Sequence, residues 1–142
     1  MTILSLKISL RSGAYANGPW EAVIEIESSA LLEDLHFAIQ DALGFDDDHL
    51  YEFFIARTET SRDRVRFDDE NGYLYERTIE SLLPLPERRN LYYLFDYGDD
   101  WLFKVAKVNR AIGAPNPHAI YPRLVRESGT KPIQYPELDE DA

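Results

Sequence analysis

The sequence predicts an α+β roll, a small sheet with a helix covering one face. Three observations predict it. Leu4, Leu6, Ile8 and Leu10 alternate with polar residues, and Trp20, Ala22, Ile24 and Ile26 alternate with Glu21, Val23, Glu25 and Glu27, the period-two signature of strands. Leu32, Leu35, Ile39, Ala42 and Leu43 recur at helical spacing. Tyr92 to Val108, YYLFDYGDDWLFKVAKV, reads as two apolar strands joined by one acidic turn.

The first two strands flank Asn17-Gly18-Pro19, strong turn chemistry, and are expected to pair as an antiparallel hairpin. The helix that follows is expected to be capped by Ser28 or Ser29, whose side chains accept a free backbone N–H. Glu33 and Asp34 suit the positive end of its dipole. Gly44 supplies the left-handed stop, and Phe45 folds back onto the last turn. His36 borders the apolar stripe.

His49 to Arg57 is aromatic-rich and apolar on both faces, as an interior strand requires. Arg62, Arg64 and Arg66 occupy alternate positions and would share one face of a strand. Asp68 to Gly72 is a turn. Thr78 to Leu83 forms a short helix that Pro84 stops. After the apolar hairpin, Pro115, Pro117, Pro122, Pro132 and Pro136 exclude regular helix, leaving extended segments at Tyr121-Pro122-Arg123 and Gln134-Tyr135-Pro136.

The order is hairpin, helix, strand, short helix, hairpin. It is that of a β-grasp-like roll, with a ββαβ core, a short second helix, a C-terminal β-hairpin and an extended tail. In that arrangement the strand at Leu91 lies beside the strand at Leu4. The chain has 142 residues, which is one domain by the usual size prior. Residues 1–136 are expected to form it, and 137–142 to be an acidic disordered tail.

Cysteine is absent, so disulfides, thiolate metal sites and cysteine nucleophiles are excluded for this chain. No run approaches the ~20 apolar residues of a membrane span, and the N-terminal stretch lacks a signal-peptide pattern. The expected location is cytoplasmic, with no membrane partner. The formal charge of −11 repels phosphate backbones and counts against nucleic acid as a partner.

The segments LEDLHFAIQDALGF, HLYEFFI, YLFDYGDDWLFKV and YPRLVRESGTKPIQYP together resemble the Orf3-like proteins, named after an open reading frame on a root-inducing plasmid. The resemblance runs from about Leu4 to Pro136. It implies a β-grasp-like fold and no established activity, in a family found in bacteria and archaea on chromosomes, plasmids and insertion elements. Some members carry a transposon-resolvase label, but no recombinase signature is present here. Many have cysteines in the YPR segment, where this chain has Leu124, so no thiolate site carries over.

Candidate sites are few. Asp96, Asp99 and Asp100 crowd three carboxylates into five positions and would suit a hard divalent cation such as Mg²⁺ or Mn²⁺. Gly-Asp-Asp is also ordinary turn chemistry. His36 and His49 would complete a His/Asp metal site, although their spacing matches no ligand motif. A third expectation is that Arg123 neutralises the aspartates and docks the C-terminal segment. Arg62, Arg64 and Arg66 form the only basic stripe, either a phosphate contact or an edge guarded against aggregation. Trp101, with the tyrosines around it, would stack bases or fill the core. Tyr121 and Arg123 mark an extended segment for docking a partner.

No nucleophile elbow or glycine-rich phosphate loop occurs, so no catalytic residue is assigned. The leading expectation is a non-enzymatic protein-binding module with no cofactor and an unknown protein partner. The alternatives are a divalent-metal-dependent phosphoester hydrolase built on Asp96, Asp99 and Asp100, and a nucleic-acid accessory protein of mobile elements. Oligomeric state is left open.

Overall fold

The computed structural model describes residues 2–109 and 116–137. Its strands are β1 (Ile3–Ser12), β2 (Trp20–Glu27), β3 (Tyr51–Ala56), β4 (Val65–Phe67), β5 (Asn90–Phe95), β6 (Trp101–Lys107) and β7 (Arg123–Gly129). One helix, α1 (Leu32–Leu43), and two short 3₁₀ turns, Tyr73–Tyr75 and Glu80–Leu82, complete the described elements. The expected tail, beyond Glu137, lies outside the described residues.

All seven strands join one sheet in the order β4-β3-β5-β6-β1-β2-β7, and every pairing is antiparallel. The β-grasp expectation is therefore overturned. β1 is hydrogen-bonded on both sides, to β2 and to β6, so the strand at Leu91 does not lie beside it. β5 runs instead between β3 and β6. The physical reason lies in the last hairpin. Both of its strands are apolar, so either would satisfy β1, and the antiparallel partner β6 takes the place. The expected second helix is reduced to a 3₁₀ turn, and the YPR segment becomes a seventh strand on the free edge of β2.

Register explains the core. Leu6 faces Ile24 and Ile8 faces Ala22 across the first hairpin, while Ile8 faces Val105 on its other side. With side chains alternating at period two, Leu4, Leu6, Ile8, Trp20, Ile24, Phe53, Tyr93, Phe95, Trp101 and Phe103 fall on one face. The α1 side chains Leu32, Leu35, Ile39 and Leu43 close that face, each 2 % exposed or less. Burying four such side chains contributes roughly 6–12 kcal/mol before conformational entropy is subtracted. No described helix is long and apolar enough to cross a membrane.

The helix cap differs from expectation. Leu31 occupies the cap position, and its N–H donates to Asp34 Oδ2 at 2.9 Å. Ser28 is drawn away, donating its hydroxyl to Glu80 Oε2 at 2.7 Å. Gly44 does adopt the left-handed stop, with φ 69°. At Gly13 the backbone runs against the Trp101 indole, where an added Cβ would lie 2.5 Å from Cε3.

Candidate functional site

The acidic turn between β5 and β6 is built by Asp96. Its φ of 63° and the 50° of Asp100 are left-handed, a conformation that aspartate tolerates because its carboxylate bonds local backbone. Oδ1 of Asp96 accepts the N–H groups of Gly98 at 3.0 Å and Asp99 at 3.2 Å. Oδ2 faces His49 Nε2 at 3.3 Å. The same His49 nitrogen lies 2.8 Å from the Tyr135 hydroxyl, which donates to Asp48 Oδ2 at 2.8 Å.

Gln134 locks the C-terminal segment onto this corner. Its Oε1 accepts Asp46 N–H at 2.6 Å, and its Nε2 donates to the Asp46 carbonyl and Asp48 Oδ1, each at 3.1 Å. The structure thus brings His49 and Asp96 together, with Asp99 half-buried and Asp100 exposed beside them. Among the described residues no group of three or more His, Asp or Glu side chains is arranged to hold a metal ion. One carboxylate oxygen of Asp96 is spent on backbone N–H groups.

His36 lies apart from that corner. It is fully buried and stacks on Tyr51 with ring centroids 3.5 Å apart. Gln40 Nε2 donates to the Tyr93 hydroxyl at 2.9 Å, so Tyr93 donates to His36 Nδ1 at 2.6 Å, and His36 Nε2–H donates to Asp47 Oδ1 at 2.9 Å. Burial holds the His36 imidazole below its ordinary value, opposed by Asp47, and pushes the Tyr93 phenol well up. Both His36 nitrogens are satisfied, while Gln40 Oε1 and the Tyr51 hydroxyl beside them are buried without a hydrogen bond among the described residues. Periodicity along the chain misses this grouping of Tyr93, Tyr51, Asp47 and Gln40 around His36, because the contacts span loops that it does not describe.

Two expectations about arginines fail. β4 is only three residues long, so Arg62 and Arg64 both lie outside it and the three arginines do not share a strand face. Arg64 folds its guanidinium over the Phe54 ring at 4.0 Å and donates to the Ser61 carbonyl at 2.8 Å. Arg66 lies 3.5 Å from Glu52 Oε2. Arg123 does not reach the aspartate turn; its guanidinium pairs with Glu25 Oε1 at 2.7 Å, because Arg123 and Glu25 are cross-strand partners in β7 and β2. Its guanidinium also lies 5.6 Å from the centre of the Tyr121 ring. Trp101 is completely buried, against Phe45 at 5.1 Å, and fills the core.

What the topology does create is a second sheet face that no described helix covers. All described helical elements lie on the other side. The register sets Arg66, Phe54, Tyr92, Lys104 and Ser9 in one row across five strands. Phe54 and Tyr92 stack at 5.1 Å and join Ala56 and Leu102 in a second apolar cluster, each residue 9 % exposed or less. Arg64 and Arg66 edge this cluster at the β4 side, and Lys104 and Lys7 at the β1 side. Glu52 is the acid within it, 4 % exposed, its Oε2 without a hydrogen bond among the described residues. Burial pushes its carboxyl up, opposed by Arg66 and Arg64. Beyond β1 the same face turns acidic, with Glu21, Glu25 and Glu27 on β2.

A family model described as plasmid pRiA4b ORF-3-like protein matches residues 2–134. The chain belongs to that family. The match takes in every strand and both the aspartate turn and the helix-free face. Among solved structures, the chain is similar to a protein of unknown function, MM3350, from Methanosarcina mazei Go1. The likeness has a TM-score of 0.69 at 23 % identity, covering 88 % of this chain and 68 % of that one. It shows a shared fold. No curated protein matches the chain.

Proposed function

We propose that the chain is a non-catalytic interaction module that docks an acidic polypeptide segment along the cations on the helix-free face of its sheet. The observation that carries this reading is the set of cations Arg64, Arg66, Lys104 and Lys7, which flank the buried Phe54–Tyr92 pair on one sheet face of a chain whose formal charge is −11. A local basic field on an acidic protein steers a complementary partner to one place and repels it elsewhere. Phe54 and Tyr92 are 3 % exposed or less, so they pack beneath the surface and hold the strands rigid, while the cations above and beside them supply the contact and its register.

Two-dimensional amide spectra titrated with a glutamate-rich peptide containing two aromatic residues test this. The expected result is perturbation confined to β3, β5 and β6, abolished in a Lys104→Glu, Arg66→Glu double variant. An unresponsive face overturns the proposal. A larger response to single-stranded DNA than to the peptide would move the face to nucleic acid, the reading that the overall charge disfavours.

A further inference from the structure

The helix-side face of the sheet carries a second feature, independent of the helix-free face. α1 covers only part of the core face. Where it ends, the segment Ile79–Leu85 bridges over β1, β6 and β5 and leaves a cleft of about 530 Å³. Its floor is Leu4, Leu6, Leu91 and Val105, each 6 % exposed or less, and its roof is Ile79, Leu83 and Leu85. A cleft of this volume with apolar walls is of the size that holds a small ligand.

Two charges stand at its mouth. Lys107 is the cross-strand neighbour of Leu6, so a lysine occupies a position whose alternation otherwise selects core residues. Among the described residues Lys107 has no ion pair. Glu80 lines the roof side, held by the Ser28 hydroxyl through one carboxylate oxygen only. Its other oxygen is committed to no described donor. No ion pair joins Lys107 to Glu80, so one cation and one anion border an apolar cleft without neutralising each other.

We infer that this cleft binds a short apolar zwitterion, a peptide of two or three apolar residues with both termini free. Its side chains would replace water on Leu4, Leu6, Leu91 and Val105. Its carboxylate would meet Lys107 and its ammonium Glu80. A fatty acid or an alkylamine would satisfy one charge and be repelled by the other; a zwitterion is complementary to both.

The test is calorimetric and NMR titration of the whole chain with Leu-Leu, N-acetyl-Leu-Leu and Leu-Leu-amide. Leu-Leu is expected to perturb amides of Leu4, Leu6, Leu83 and Val105. Each blocked form is expected to bind roughly tenfold more weakly, since it forgoes one charge-assisted hydrogen bond. Lys107→Met is expected to remove the preference for the free carboxylate, and Glu80→Gln the preference for the free amine. Both side chains are exposed, so these variants keep the fold. No binding of Leu-Leu, or equal binding of all three compounds, overturns the inference.

Discussion

His36 and Tyr51 stack face to face, ring centroids 3.5 Å apart and planes 1° from parallel. One residue comes from the helix and the other from the start of β3, so this stacking pins the helix to the sheet. It also leaves an imidazole inside the core with a hydrogen bond at each nitrogen.

A pH dependence follows from that burial. His36 is held below its ordinary 6.5 in the folded chain, chiefly by desolvation. As pH falls, the unfolded chain takes up this proton first. The contribution of neutral His36 is therefore complete above about 6.5 and disappears as pH drops towards the depressed folded value. Urea unfolding midpoints should decline as pH falls below about 6.5, and His36→Gln should flatten that decline. Equal slopes in the two proteins would contradict it.

Glu52 has the opposite sign. Burial raises its carboxyl above 4.5, so the folded chain holds the proton more tightly than the unfolded one. Stability from this group is greatest when it is protonated and falls as pH rises from about 4.5 through the raised value. Glu52→Gln should raise the melting temperature at neutral pH, and the gain should vanish below about pH 4.5. The Arg66 side chain is 56 % exposed, so solvent screens its pairing with Glu52 too strongly to reverse this.

Gly129 is where β7 closes onto the first hairpin. Its φ is +86°, and an added Cβ would overlap the Pro19 carbonyl. Gly129→Ala should cost at least about 1–3 kcal/mol, read by thermal denaturation, with faster hydrogen exchange concentrated in the β7 amides.

Arg123→Ala should change stability by less than about 1 kcal/mol, because its pair with Glu25 is partly exposed. The amide shifts of Asp96 to Asp100 should be unaffected. Movement of those shifts would revive a link between Arg123 and the aspartate turn.

Gln134→Ala should matter more. It removes three hydrogen bonds from a side chain 6 % exposed and leaves Asp46 N–H without its acceptor, a cost of about 1–3 kcal/mol. The readout is the exchange rate of the Asp46 amide against those of the β1–β2 hairpin.

The local elements are legible in the order of residues alone. Alternation from Leu4 to Glu27 dictates a half-buried hairpin, since a pleated strand sends successive side chains to opposite faces. The spacing of Leu32, Leu35, Ile39 and Leu43 dictates an amphipathic helix, and Asp96 to Asp100 dictates a turn, because these are properties of neighbouring residues. Which strand meets which is a matter of tertiary structure. Leu91 and Val105 are equally apolar, so nothing local distinguishes β5 from β6 as the partner of β1; closing the antiparallel ladder does. That choice set Phe54, Tyr92 and Lys104 in one row, and sent Arg123 to Glu25 rather than to the aspartates. It also left Lys107 and Glu80 at the mouth of an apolar cleft. Such juxtapositions depend on the register of strands far apart in the chain, which period-two alternation does not encode.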